Sequence, residues 1–600
     1  MSFTQNAEPP KADHPASAFQ KVFRPLLIVA LLVALARALF PYWHQVSNWA
    51  LIDNDDAMRV LQVRDWLAGQ AWFDVSQHRL TPHPISNIHW SRIADLPLAA
   101  SMLFACSVLG QDLGEKVAVF ITPVWLGVVY VLIGVKAATA LGGKKSAIPA
   151  VFLVAGAPAA LAYFMPGRVD HHGLQLILLV TTLLGLLSGG RKWAGLAGLA
   201  MAIAIGIGLE SLPLQIVIIG WVALRWAFRG DEVGPETRWF AASFAIGLVV
   251  CFAATIPSSK WMFPVNDAIG RGHVVLGFLG GISLACATLL QMRETGNWRT
   301  IGLRLGLLVL LAVLLLVGLK FFPELLVPPY AQIDPLLTRL WLDNVSETKP
   351  LLNSKLSTTL AFAVFPCLAA VASAVAIVWA KGRERDLWTL ASLTIFVSVG
   401  LAVLWQSRAS GLTAAVSGVM AAALIGKLAE QISFKVAIMA AIVLNPIVPG
   451  LIGSKIVKSF EPKPGRFQTG GGAGCYTDSA FSALRKQSVG LVVAPIDMGA
   501  RILMTTPHRV LAAPYHRNNT GNLATYRLFM AKPDVAKAMA KDLGASYVAI
   551  CTKSAEVAIL SRESPKGLMV ELRDGRIPAW LTPIEKPKGS DVQAYKVNLD

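Results

Sequence analysis

Phe164-Met165-Pro166-Gly167-Arg168-Val169-Asp170-His171-His172 joins two apolar runs, 147–164 and 173–188, and its reading decides what kind of chain this is. A transmembrane helix needs about 20 predominantly apolar residues, so so short a polar stretch between such runs is a turn between two membrane helices. Carboxylates and imidazoles are costly at a bilayer edge unless they face a protein interior or a water-filled cavity. A second cluster, Asp53-Asn54-Asp55-Asp56, follows the first apolar run, 25–43. Both clusters fall on the same side of the membrane, which points to a metal or catalytic site there.

The rest of the chain supports this. Of 600 residues, 54% are hydrophobic and 15% charged, with a mean hydropathy of +0.56, well outside the range of soluble globular proteins. The fold class is a polytopic α-helical membrane protein. About thirteen spans are expected, at 25–43, 116–138, 147–164, 173–188, 193–209, 212–228, 238–256, 273–291, 302–322, 357–380, 387–405, 411–427 and 435–453. With the N-terminus, 1–24, in the cytoplasm, the loops holding Lys144, Lys145, Arg191, Lys192, Arg293, Arg299, Lys381, Arg383 and Arg385 all fall inside, as the positive-inside rule requires. The net charge of +18 therefore speaks of orientation, and no nucleic-acid module is present. No early apolar core with a small-residue cleavage site precedes the first run, so it is read as a retained span.

The membrane region thus runs 25–454, with long outer loops at 44–96 and 323–356, and the odd span count leaves 455–600 outside. In a bacterial inner (plasma) membrane that side is the periplasm. The tail begins with a glycine-rich linker, 469–474, then alternates β-branched runs (490–494, 546–550, 555–559) with a helical stretch around 534–543, the pattern of an α/β domain. Its 21 Lys and Arg against 12 Asp and Glu give a formal +9: a solvated surface, or a basic face toward anionic lipid or a phosphate-bearing substrate. Cys475 and Cys551 pair if the tail is exported or stay free; their spacing does not decide.

After the first cluster, Ala57, Val60, Leu61, Val63 and Leu67 recur with helical spacing. The acids therefore open a helix lying along the membrane surface, where its dipole favours negative charge. One acid suffices for capping, whereas three invite a hard divalent cation, Mg²⁺ or Mn²⁺. In the second cluster Asp170 and His172 share a cavity, while Arg168 meets a phosphate or neutralises Asp170.

The spans and outer tail, Asn54-Asp55 followed ten residues later by Arg64-Asp65, and Met165-Pro166-Gly167 before Asp170-His171-His172 resemble one known family. It is the catalytic subunit of oligosaccharyltransferase with its single-chain bacterial and archaeal relatives, within the C-type integral-membrane glycosyltransferases. The resemblance implies that Asp55, Asp170, His172 and Glu347 hold a Mn²⁺ or Mg²⁺, with Asp55, Asp170 and Glu347 catalytic. It also implies that Arg408 contacts the phosphate of a lipid-linked donor, the role that the local reading also offers to Arg168. Asp53, Asp56, His171 and Glu210 stand behind these ligands, and Asp497, His508 and His516 are candidate acceptor contacts. His78, His83 and His89 with Trp72 and Trp90 are candidates for a sugar-stacking surface.

Two departures matter. His172 replaces a second acid and suits Mn²⁺ better than Mg²⁺. The Trp-Trp-Asp signature for an Asn-x-Ser/Thr acceptor is absent, its nearest equivalent being Val493-Ala494-Pro495-Ile496-Asp497, which puts protein N-glycosylation in doubt. The expected activity is metal-assisted transfer of a sugar or oligosaccharide from a polyprenyl phosphate or pyrophosphate to an outer glycan, lipid or protein acceptor. The alternative is a transporter or flippase of a lipid-linked glycan, which predicts repeated halves with broken helices; no convincing repeat is present.

Overall fold

The structure is a computed structural model and describes residues 39–81, 88–290, 297–446 and 473–598. The membrane region contains α1 (Asn54–Leu67), α2 (Leu96–Leu109), α3 (Gln111–Gly142), α4 (Ala147–Val154), α5 (His172–Ser188), α6 (Arg191–Ile207), α7 (Leu212–Arg229) and α8 (Gly234–Thr255). It continues with α9 (Arg271–Ala287), α10 (Trp298–Gly318), α11 (Leu356–Trp379), α12 (Gly382–Leu404), α13 (Ser410–Leu428) and α14 (Phe434–Val443).

Among the described residues, eight helices are long and apolar enough to cross a membrane, or nine if the pair Lys144–Val154 and Pro158–Phe164, bent by 67°, is one span. This differs from the expected thirteen. Most of the expected first span lies outside the described residues, as does the end of the last. Three others, α5, α6 and α9, have 17 residues each. At 1.5 Å per residue that is about 26 Å, short of the ~30 Å hydrocarbon core.

One helix was not expected. The stretch Arg92–Leu109, assigned partly to the outer loop, passes the same length and hydropathy test. It turns at Gly110, whose φ of +77° favours glycine, and α2 returns alongside α3, with the Trp125 indole donating to Ser101 Oγ at 3.3 Å. With 32 residues α3 is about 48 Å long, so it has length to spare for this hairpin.

The tail is the expected α/β domain. Strands β1 (Leu491–Val493), β2 (Arg509–Val510), β3 (Tyr547–Cys551), β4 (Leu581–Pro583) and β5 (Val592–Val597) form one sheet in the order β2-β1-β3-β5-β4. β1 pairs in parallel with β2 and β3, while β5 is antiparallel to β3 and β4. Helices α15 (Gly499–Thr505), α16 (Asn519–Met530), α17 (Pro533–Asp542), α18 (Ala555–Glu563) and α19 (Leu568–Arg573) accompany it. The run 555–559, expected as a strand, is instead the start of α18. Ser554 caps that helix by accepting from the Val557 N–H at 3.2 Å, and a cap of this kind selects helix over strand. Cys475 and Cys551 form a disulfide with Cα atoms 5.8 Å apart.

The tail is docked on the two long loops, 44–96 and 323–356. α1 is buried without interruption from Asp56 to Val63, and Met498, Ile502 and Leu503 of the tail share its apolar core. Arg79 donates to the carbonyls of Leu503 at 2.6 Å and Thr506 at 2.7 Å, and Arg501 donates to that of Leu51 at 3.0 Å. On another face, Leu337, Leu340 and Trp341 of the second long loop join a core with Val493, Ile496 and Phe529. Both long outer loops are thereby fixed to one rigid body, and the site lies where they meet.

Candidate active site

The two acidic clusters meet directly. Asp53 caps α1, its carboxylate accepting from the Asp55 N–H at 3.4 Å. Asp56 is fully buried and accepts from the backbone N–H groups of Val169 at 2.9 Å and Asp170 at 3.2 Å, and from Arg168 at 2.9 Å. Arg168 also reaches Asp53 at 3.1 Å. The turn that permits this has Gly167 at φ +90°, where an added Cβ would come within 3.1 Å of Val46. Arg168, a candidate phosphate contact in the sequence, is therefore a clamp between the clusters. Burial pushes the Asp56 carboxyl up to about 7, against the pull of Arg168.

Behind the second cluster is a buried network. Asp170 accepts from the His171 N–H at 2.7 Å, and its Oδ1 lies 2.6 Å from His171 Nδ1. His172 Nε2 is 3.3 Å from its other oxygen. Glu210 holds His171 Nε2 at 3.1 Å and accepts from Gln175 at 2.7 Å. Burial alone would raise Asp170, but the charges of His171 and His172 hold its carboxyl well below the usual range. Burial alone would likewise lower His171, yet Asp170 and Glu210 push it up to about 10. Glu210 is correspondingly held low, since His171 outweighs its burial.

The sequence did not single out Arg59, Asp95 and Arg92. Arg59 donates to Asp95 at 2.7 Å, lies 3.5 Å from Asp170 and sits 4.5 Å above the Trp90 ring. Arg92 supports Asp95 at 3.1 Å. A signal existed: Arg59 lies one turn after Asp55 on α1, so it shares that face of the helix.

In front lies a cavity of about 410 Å³, lined by Asp55, His172, Glu210, Glu347, Arg408 and Asp497, among others. Distant parts of the chain thus converge on this cavity, while Asp170 is not among the residues that line it. Arg408 donates to Glu347 at 3.2 Å and to the Tyr330 hydroxyl. Asp55 differs from its neighbours because its carboxylate makes no hydrogen bond or ion pair among the described residues. Burial, then the charges of Asp53, Asp170 and Glu347, push its carboxyl well above the usual range.

Asp497 also borders a second cavity of about 860 Å³, formed by 44–54 with Tyr476, Thr477 and Arg501. Asn54 faces this second cavity while its neighbour Asp55 faces the first. Gly499 lets the backbone carrying Asp497 press against Ala512, where a side chain would collide. Burial and Asp53 raise the Asp497 carboxyl to about 6.

His508 is not at the site. It is fully buried in the tail, accepting from the Gly490 N–H at 3.2 Å, with Nε2 2.7 Å from the Leu484 carbonyl. His516 does line the first cavity, with Nε2 2.6 Å from Asp267. Of the candidate sugar-stacking residues, His89 and Trp90 line it as well, His78 pairs with Asp74 at 2.7 Å, the Trp72 indole donates to the Ala254 carbonyl at 2.5 Å, and His83 lies outside the described residues.

The donor set fits a divalent cation. Asp170, His171 and His172 each offer a ligand atom within 4.8 Å of the others. Asp55 adds a carboxylate with no protein partner in a crowd of acids, an arrangement that a bound cation relieves. Mixed nitrogen and oxygen donors favour Mn²⁺ over Mg²⁺. Glu347 pairs with Arg408 and lines the same cavity as Asp55 and His172.

The helical membrane region, with the α/β tail docked on its long loops and one cavity where they meet, is a fold shared with solved structures. The chain is similar to the archaeal oligosaccharyltransferase AglB from Archaeoglobus fulgidus. The apo crystal form matches over 93% of this chain and 72% of its own, with 15% identity and a TM-score of 0.65. AglB in complex with an inhibitory peptide and a dolichol-phosphate matches over 94% and 73%, with 16% identity and a TM-score of 0.63. The complex with Zn and sulfate matches over 93% and 69%, with 16% identity and a TM-score of 0.57. No family model matches the sequence, and no curated protein matches it.

Proposed function

We propose that this chain is a membrane glycosyltransferase. It moves a sugar or oligosaccharide from a polyprenyl phosphate or pyrophosphate to an acceptor on the outer, periplasmic face of a bacterial inner membrane, with the N-terminus cytoplasmic. The observation that carries this is the gathering of Asp55, His172, Glu347 and Arg408 around one cavity between the membrane helices and the docked tail. The AglB complex with a dolichol-phosphate and a peptide supports a lipid-linked donor and a separate acceptor.

In this reaction the bond from the anomeric carbon to the phosphate oxygen breaks and a bond from that carbon to the acceptor forms. Negative charge develops on the departing phosphate, and Arg408 is placed to receive it. A Mn²⁺ or Mg²⁺ held by Asp55, Asp170, His172 and Glu347 would neutralise the same charge. Asp55, lacking a protein partner, orients the acceptor and accepts its proton. Asp170 stays ionised because the two histidines hold it so, and Glu210 and Arg59 fix their positions. Asp497 stands where the two cavities touch, so the acceptor enters from the second cavity while the lipid occupies the first.

The test is Asp55→Ala in purified protein, assayed with a lipid-linked donor. Transfer should fall by ~10²-fold or more while the melting temperature holds. Undiminished transfer would end the assignment. Deleting the gene should also cause a lipid-linked glycan to accumulate in the host, identifying the donor.

A further inference from the structure

His89, Asp267 and His516 form a cluster with no part in the chemistry above. They come from the first outer loop, the segment before α9 and the docked tail, and all three line the first cavity. One nitrogen or oxygen from each lies within 4.8 Å of the others. We propose that these three residues bind a zinc-class transition-metal ion at a site separate from the Asp55 and Asp170 cluster.

The donor set has the right chemistry. Two imidazoles and one carboxylate select zinc or a similar ion over Mg²⁺, which prefers oxygen and water. Asp267 is fixed from outside by Arg517, whose Nε is 2.7 Å from Oδ2 and whose Nη2 is 2.5 Å from Oδ1. Such outer hydrogen bonds commonly orient a ligating carboxylate. His516 Nε2 lies 2.6 Å from Asp267 Oδ2, so two donors already converge, and the ion would take the place of the proton they share.

The Trp90 ring stands between this cluster and the other, with its centroid 6.4 Å from His89 and 6.2 Å from His171. An ion here would staple three outer segments across the cavity. That role is structural, and it does not depend on which reaction the cavity hosts.

The test uses the full-length protein in detergent, stripped of metal and titrated calorimetrically with Zn²⁺ in excess Mg²⁺. Melting temperature is recorded alongside. The parent and the Asp170→Asn variant should both bind one Zn²⁺ at this site and melt higher with it. His89→Ala and the closer-sized His89→Gln should bind at least ~10-fold more weakly, with no zinc-dependent rise in melting temperature. The proposal is overturned if the His89 variants bind as the parent does, or if Asp170→Asn abolishes all zinc binding. A parent that binds no zinc overturns it equally, leaving an ion-pair network only. Loss of transfer in Asp55→Ala bears on the proposed reaction and leaves this outcome unaffected.

Discussion

Replacing Asp56 by alanine removes the carboxylate on which the two acidic clusters are hung. It accepts from the Val169 and Asp170 N–H groups and from Arg168, and it is fully buried. The variant leaves two buried backbone donors unsatisfied, at ~1–3 kcal/mol each. It also breaks a buried ion pair, a change that costs ~3–5 kcal/mol when one partner remains. Arg168 keeps Asp53 at 3.1 Å, so the second cost falls toward its lower end. A loss of at least about 5 kcal/mol is expected, comparable with the ~5–15 kcal/mol that holds a typical domain folded. The assay is thermal unfolding in detergent for Asp56→Ala, Asp56→Asn, Arg168→Met and the Asp56→Ala/Arg168→Met double variant. Asparagine keeps an oxygen for the two N–H groups and should fall between parent and alanine. The double variant should lose less than the sum of the singles, by ~0.5–3 kcal/mol. Strict additivity, or an Asp56→Ala protein that melts with the parent, would refute the clamp. If Arg168 served the donor instead, Arg168→Met would raise KM for the donor and leave melting unchanged.

Three further outcomes are expected. His508→Ala should lower the melting temperature, at ~1–3 kcal/mol for the unsatisfied groups it leaves, and leave KM for the acceptor unchanged; a raised acceptor KM would return His508 to the site. Cys475→Ser, or reduction of the parent, should destabilise the tail by ~2–5 kcal/mol, read as an earlier transition in a melting curve and as thiols that alkylate only after reduction. Glu556 accepts from the Ile496 N–H at 2.6 Å and the Asp497 N–H at 3.0 Å, and burial with the Asp497 charge raises it to about 8. Between its unfolded value and about 8 the folded state binds a proton that the unfolded state has released. Stability therefore falls as pH rises through that window, by at most ~1.4 kcal/mol per unit, and levels off above it. Glu556→Gln should flatten this decline in melting temperature between pH ~5 and ~8; an unaltered slope would show that Glu556 does not titrate there.

Sequence made the residues visible and left their partners hidden. Asp55 and Asp170 stood out because acids are rare beside apolar runs, whereas Glu347 was singled out by the family resemblance alone; Asp55 and Glu347 line the cavity. Arg168 and Arg408 look alike in sequence, each an outer arginine beside a helix. The contacts separate them: Arg168 is matched by two carboxylates, while among the described residues Arg408 pairs with the exposed Glu347 and with Tyr330. Asp267 escaped notice for the same reason, since nothing in its neighbourhood in the chain announces His516, almost 250 residues away. His508 and His516 sit eight residues apart, and only the packing of the tail sends one into the core and the other to the cavity.

The span count departs from expectation where the cavity is built. α5 begins at His172, α6 ends at Ile207 just before Glu210, and α9 begins at Arg271 just after Asp267. Each of these short helices gives up a terminus on the cavity side to a loop carrying one of the polar residues described above. Within a bilayer, non-helical backbone is tolerated only where it is buried in protein or lines a cavity. Three such interruptions around one space therefore argue that the cavity floor lies below the level at which full-length spans would end. A hydropathy window tuned to uninterrupted helices shortens or drops the elements that bend inward to make that floor. By contrast α10, found without difficulty and with only Ile301 and Arg304 buried along its length, contributes nothing to the cavity lining.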